Sequence, residues 1–434
     1  MIAAATMPRK WTAAARRIGR GDMLTLSASE TVNRAARFII AVILARAVGP
    51  DDYGAWVVAA AVGVLLMTVG DLGLGTVIVT RVAAAPALLR PYVANMLAVV
   101  AVVLGVSFAA VAGGWLAGLL GPLVAMLALA GMIDSATFLV LAPLRARNDL
   151  RPEALVRGGQ GIALLAVGIP VFLTADASAQ ALAVVFLAVS AASLAFALLA
   201  LVRAAGAVAP RLRVALTCEL ARAASPVLAA TFVAMAYFRI DALLLAAIRG
   251  EAGAGLYAAA YNVAFGATFV AVMFGRILLP RFAQAATPGA LRLSYRRSVR
   301  NLSAAAGCML VALAAAAPLI PRVYGHEYAG ALPAYAWLVG AQAAFFLTHM
   351  NYTFLYARGR AVAVWWLTVG SLVLNVALNA ALIRPFGPAG AGAAALATET
   401  ALLAAQLWLI RAVLHDVPHA DTHAGGEPLP ALAA

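Results

Sequence analysis

Glu30, Arg34 and Arg37 lie in one apolar stretch at i, i+4 and i, i+3 spacing, which puts all three on one side of a helix. Counted from Leu24, Arg34 is about 15 Å into that helix at 1.5 Å per residue, near the middle of a hydrocarbon layer roughly 30 Å thick. An ionised group at that depth costs several kcal/mol, so it normally faces a water-filled cavity or a partner charge. A guanidinium offers paired donors to phosphate oxygens and never loses its charge, so two of them side by side suit a polyanion. A structural arrangement stands beside this one: Glu30 neutralises Arg34, while Arg37 snorkels or bonds a neighbouring helix.

Five more ionisable residues interrupt apolar stretches. Arg239 and Asp241 are two residues apart and so point to different faces. Arg239 is expected to join Arg34 and Arg37 around a phosphate group. Asp241 either pairs with an arginine across an interface, in a bond that protonation would break, or forms a fixed structural pair. Asp71, flanked by Gly70 and Gly73, either balances Arg34 or Arg37, carries a coupling proton, or caps the irregular backbone that these glycines allow. Asp134 and Glu399 are single acids suited to contacts between neighbouring helices. Asn375 and Asn379 share a face at i, i+4 and suit helix–helix hydrogen bonding.

Catalysis finds no support in these patterns, and no catalytic residue, cofactor or metal is expected. Lys10 is the sole lysine, which excludes a GxxxxGK[ST] phosphate loop. Cys218 and Cys308 are too few and too far apart for a metal site. His415, His419 and His423 recur every four residues, but Pro418 breaks the helix that would align them.

The elements that must carry these charges are membrane helices. Apolar residues make up 65% of the 434 and charged residues only 11%, more apolar surface than a soluble chain can bury. Spans are expected near 24–47, 54–80, 92–117, 119–142, 154–175 and 179–203, then 224–248, 254–279, 298–321, 330–357, 361–383 and 388–411. The net charge of +14 lies mainly in alternate loops, as positive-inside topology requires, so it argues for lipid and against nucleic acid as the partner. Both termini are then cytoplasmic.

The chain also repeats itself. LARAVGPDDYGAWVVAAA (44–61) corresponds to LAAIRGEAGAGLYAAAYNV (245–263), with Gly49, Gly54 and Trp56 matching Gly250, Gly255 and Tyr257 at an offset of 201. Arg81-Val82-Ala83 matches Arg281-Phe282-Ala283 at an offset of 200. Six spans per half make the repeats parallel, related by a pseudo-twofold axis along the membrane normal. The expected fold is an all-α polytopic membrane protein of about twelve transmembrane helices in two six-helix lobes. Its parts are a basic cytoplasmic tail (1–23), an N-terminal lobe (24–203), a cytoplasmic linker (204–223), a C-terminal lobe (224–411) and a disordered cytoplasmic tail (412–434).

Leu44-Ala45-Arg46, Gly49-Pro50, Asp52-Tyr53-Gly54 and Asp71-Leu72-Gly73-Leu74 resemble the start of the bacterial oligosaccharide-lipid flippases (Wzx-like polysaccharide biosynthesis proteins) of the MOP exporter superfamily. Arg239-Ile240-Asp241, Gly255 to Tyr261, Tyr324-Gly325-His326-Glu327-Tyr328, Arg358-Gly359-Arg360 and Gly387 to Ala391 extend the resemblance over nearly the whole chain. It implies a MATE-like fold in a bacterial inner membrane and a polyprenyl-pyrophosphate-linked glycan as cargo. It also implies the polysaccharide polymerase and glycosyltransferases of the same pathway as partners. On this reading Arg34, Arg37 and Arg239 bind pyrophosphate, while Glu30, Asp71 and Asp241 balance charge or couple an ion. The nearest alternative is a MATE-like exporter of cationic small molecules, whose cavity should instead be acidic or aromatic. A membrane glycosyltransferase would need carboxylates on a sizeable external loop, and the expected external loops are a few residues long. A non-transporting scaffold would leave the midplane charges without a purpose.

Overall fold

A computed structural model describes residues 20–174, 178–266, 268–284 and 287–415. Most of both expected tails lies outside these residues. The described chain is helical throughout, with eleven stretches long and apolar enough to cross a membrane. The first, Leu24–Ala84, has 61 residues. At 1.5 Å per residue that is roughly 90 Å, about three times a bilayer core, so it accounts for two crossings and the total for twelve.

The first half contains α1 (Arg20–Gly70), α2 (Leu74–Ala84), α3 (Leu89–Leu116), α4 (Pro122–Ala146), α5 (Arg151–Thr174) and α6 (Ala179–Ala205). The second contains α7 (Val214–Arg249), α8 (Glu251–Phe265), α9 (Thr268–Gln284), α10 (Pro288–Ala316), α11 (Leu319–Tyr324), α12 (Leu332–Ala357), α13 (Ala361–Phe386) and α14 (Pro388–His415). Within α1 the helical ladder breaks at Gly49, whose φ/ψ of 77°/177° only glycine adopts freely. Gly250, its counterpart, separates α7 from α8 with 82°/176°. The repeat thus marks the same reversal twice. Pro50, following Gly49, opens the second arm of α1, where a missing N–H costs nothing.

The matched glycines also meet in space. A Cβ on Gly54 would lie 1.8 Å from the Glu251 carbonyl oxygen, and one on Gly255 would lie 2.1 Å from that of Pro50. Residues 50 and 251 are themselves repeat partners, so each half presents the same residues to the other, as an isologous contact does. Tyr53, beside this contact, accepts a hydrogen bond from Asn262 Nδ2 at 2.9 Å. Tyr328 donates to the Ala45 carbonyl at 2.9 Å, which ties the 3₁₀ segment His326–Ala331 to α1. These bonds close the arginine-poor end of the molecule.

At the opposite end, α7 begins ten residues before the expected span, and its first turns dock on the first half. Arg81 pairs with Glu219. Asn95 donates to Thr217 at 3.0 Å and accepts from the Arg213 N–H at 2.8 Å. The expected linker is therefore partly helix. On the other side of the molecule, α9 packs on α10 and α12 of its own half. The segment Leu319–Ala331 between α10 and α12 is ordered as a short helix and a 3₁₀ turn; its Pro and Gly content hid this from apolar periodicity.

Gly54→Ala should force the arginine-poor ends apart, because a backbone carbonyl cannot move as a side chain can, at a cost of about 1–3 kcal/mol. Spin labels at positions 52 and 251, with both native cysteines replaced by serine, should report a longer mean distance than in the otherwise identical parent. An unchanged distance distribution would contradict this packing.

Candidate charge network and inter-lobe cavity

The sequence-predicted charges of α1 are brought together with residues of α4 and α5. Arg34 Nε donates to Glu30 Oε1 at 2.9 Å. The other oxygen of Glu30 lies 3.7 Å from Arg157 Nε on α5. Arg37 Nη2 is 3.6 Å from Asp134 Oδ2 on α4, and its Nε donates to Asn33 Oδ1 at 3.3 Å. Gln160 of α5 donates to the second oxygen of Asp134 at 2.9 Å. Arg145 Nε faces Glu153 Oε2 at 3.6 Å. Glu30, Asp134 and Glu153 thus partly offset Arg34, Arg37, Arg145 and Arg157. Close packing of α5 on α1 makes this possible: a Cβ on Gly161 would sit 2.8 Å from Asn33 Cα.

Both arginines singled out in the sequence keep much of their surface open, 61% for the Arg34 side chain and 42% for Arg37. Arg37 also lies 5.5 Å from the Phe186 ring centroid, and Arg157 sits 3.8 Å over the Phe138 ring. Such cation–π contacts hold a guanidinium in place without consuming its hydrogen-bond donors.

A cavity of about 350 Å³ adjoins this network and is lined by both halves. Arg145, Arg157, Ser135 and Asp71 supply its polar wall, and Val227, Leu228, Thr231 and Met235 of α7 close it opposite. The Ser135 hydroxyl and Arg145 Nε are buried with no hydrogen-bond partner among the described residues. Asp71 accepts from the Gly75 N–H at 3.2 Å, capping the turn in which Leu72 and Gly73 take φ of 50° and 67°. A Cβ on Gly73 would lie 2.8 Å from the Ala224 carbonyl, so this turn is where α7 crosses the first half. Arg145 and Arg157 read in the sequence as loop arginines; their spacing gives no sign that they turn inward.

Arg239 does not join Arg34 and Arg37 in a shared cluster. It stands on α7, half-buried, and forms no ion pair or hydrogen bond among the described residues. Asp241 takes neutral partners rather than an arginine: Tyr257 donates to it at 2.6 Å and Asn379 at 2.8 Å. Asn379 also donates to Asn375 Oδ1 at 3.0 Å, as their i, i+4 spacing allows. Glu399, 2% exposed, accepts from Tyr237 at 2.7 Å and Thr348 at 2.9 Å. The second half therefore buries two carboxylates with no ion-pair partner among the described residues, close to the unsatisfied oxygens Asn379 Oδ1 and Thr398 Oγ1.

Two repeat-related helical halves face each other across the cavity, and solved structures share this fold. An inward-facing multidrug resistance MATE family transporter of the MOP superfamily shares the fold at TM-score 0.70 and 12% identity, over 92% of this chain and 100% of its own. The lipid II flippase MurJ, in an inward closed conformation, shares it at TM-score 0.71 and 12% identity, over 89% of this chain and 87% of its own. An outward-facing MATE transporter scores 0.58 at 12% identity, over 92% and 99%. No curated protein matches the chain in sequence. The signature of the polysaccharide biosynthesis protein family matches residues 21–286, more than half of the chain, and the chain belongs to that family.

Asp134→Ala should destabilise the fold by about 1–3 kcal/mol, because Arg37 and Gln160 lose a shared acceptor. Arg37→Met combined with Asp134→Leu should recover part of that loss. A thermal-unfolding double-mutant cycle with a coupling energy below about 0.5 kcal/mol would show that the pair is not coupled.

Proposed function

We propose that this protein moves a polyprenyl-pyrophosphate-linked oligosaccharide from the cytoplasmic to the outer leaflet of a bacterial inner membrane, as a secondary transporter working by alternating access. The observation that carries the reading is the arginine network of α1, α4 and α5 beside a cavity shared by both halves. A pyrophosphate can take donors from Arg34 and Arg37 while competing with Glu30 and Asp134 for them. Arg157 lies 3.7 Å from Glu30 and lines the cavity, so it stands between the two. The Ser135 hydroxyl, buried without a hydrogen-bond partner among the described residues, offers a further donor, and so does Arg145 Nε if it releases Glu153. Arg239, at the lobe interface, is assigned to the same cargo at a later stage of its passage. Family membership supports the glycan class, and the MurJ likeness supports the fold that such a cargo needs.

The arginine-rich end is assigned to the cytoplasm, with both termini there. The closed glycine contact then lies outside, and the cavity opens inward. The polyprenyl tail stays in lipid through a lateral gap between the lobes. Glu30 and Asp71 balance charge in the first half. Asp241, with Glu399 beside the unsatisfied Asn379 and Thr398 oxygens, is the candidate coupling site for a monovalent cation or proton. Each charge crossing the membrane field is worth about 2.3 kcal/mol per 100 mV. The polymerase and glycosyltransferases of the same pathway are the expected partners.

In a strain lacking this gene, Arg34→Ala/Arg37→Ala should fail to restore surface glycan despite normal membrane levels, with lipid-linked oligosaccharide held on the cytoplasmic leaflet. Normal glycan in the deletion strain, with altered sensitivity to cationic drugs, would favour the MATE-like exporter instead. Asp241→Asn and Glu399→Gln should keep cargo binding but lose the response of transport to imposed ion gradients in proteoliposomes. An undiminished gradient response in both variants would remove these residues from coupling.

A further inference from the structure

The repeat breaks its own symmetry at one pair of matched arginines. In the first half Arg81 is neutralised, pairing with Glu219 and donating to Tyr92. Its counterpart Arg281, on α9, forms no ion pair or hydrogen bond among the described residues. It opens instead onto a cavity of about 630 Å³ between α9 and α10, at the arginine-rich end and away from the inter-lobe cavity. Arg297, Ser294, Ser298 and Asn301 of α10 line the same space. Arg297 and Arg281 are both exposed, and neither has a carboxylate partner among the described residues.

Positive-inside topology accounts for arginines at this end in general. It does not account for two that converge, with three neutral hydrogen-bonding side chains, on one cavity. Nor does it account for Ser298, which is only 7% exposed, lines the cavity and has no hydrogen-bond partner among the described residues. Its hydroxyl is open to the cavity and offers it a free donor. The rest of the wall, Phe274, Ile277, Leu278, Leu293 and Leu302, is apolar. Cationic and hydroxyl donors above an apolar floor match a group that is anionic at its head and hydrocarbon below.

We propose that the α9–α10 cavity binds the phosphate headgroup of an anionic phospholipid of the adjoining leaflet. The guanidiniums of Arg281 and Arg297 hold the phosphate oxygens, Ser294, Ser298 and Asn301 complete the cradle, and the acyl chains lie along Leu278 and Leu293. Because α9 packs on α10 and α12, a lipid wedged there braces the second half alone. The site stands independently of the cargo assignment.

The test is lipid selectivity of the purified protein in nanodiscs, read by native mass spectrometry and by thermal shift, with phosphatidylglycerol, phosphatidylcholine or inorganic phosphate added. Wild type should prefer phosphatidylglycerol over phosphatidylcholine. Arg281→Gln/Arg297→Gln, at exposed positions that leave the packing intact, should reduce that preference by roughly tenfold or more. Arg358→Gln/Arg360→Gln, which removes equal charge elsewhere at the same end, should leave it in place. Ser294→Trp, which fills the cavity but keeps both arginines, should also abolish it. Equal losses in the two arginine pairs would assign the effect to general surface charge and overturn the site. So would an unchanged preference in Ser294→Trp, or stabilisation by inorganic phosphate equal to that by the lipid.

Discussion

Two glycines allow the two halves of this chain to touch backbone to backbone. Gly54 lies against the Glu251 carbonyl and Gly255 against that of Pro50, too close for any side chain. This contact holds α1 and α8 together at the arginine-poor end, while at the other end α7 docks on the first half through Arg81–Glu219 and the close approach of Gly73 to Ala224. Polar residues of α4 and α5 face α7 across the cavity.

The second constraint is the price of charge in hydrocarbon, and the halves meet it differently. The first half assembles arginines and carboxylates into a partly open network, which an anion can enter by exchange with a carboxylate. The second half buries carboxylates among tyrosine, asparagine and threonine donors, an arrangement that suits a small cation. One fold thus gathers guanidiniums in its first half and buried carboxylates with neutral donors in its second.

Much of this was legible in the sequence. The apolar stretches gave the twelve crossings, because membrane helices must be long and continuous. The repeated glycines were visible as spacing, and the structure supplies their reason in a matched positive φ and a mutual close approach. The Glu30–Arg34 pair followed from helical periodicity alone. What could not be read is the rotation of each helix about its axis. Arg145 on α4 and Arg157 on α5 sit near span ends like any loop arginine, yet both line the cavity, and Gly161 lets α5 pack closely on α1. The same blindness hid the Arg37–Asp134 pair, separated by nearly a hundred residues, and the neutral partners of Asp241. Arg239 forms no ion pair or hydrogen bond with Glu30, Asp134 or any other described residue.

Alternating access of the proposed kind requires the lobes to part at the glycine contact for cargo to cross. The direct measurement is flipping of a fluorescent polyprenyl-pyrophosphate-linked oligosaccharide in proteoliposomes, using protein cross-linked between cysteines at positions 52 and 251 by a short reducible reagent, with Cys218 and Cys308 replaced by serine. Flipping should stop in the cross-linked protein and return when the bridge is reduced. Flipping at the uncross-linked rate with the bridge intact would contradict alternating access through this cavity.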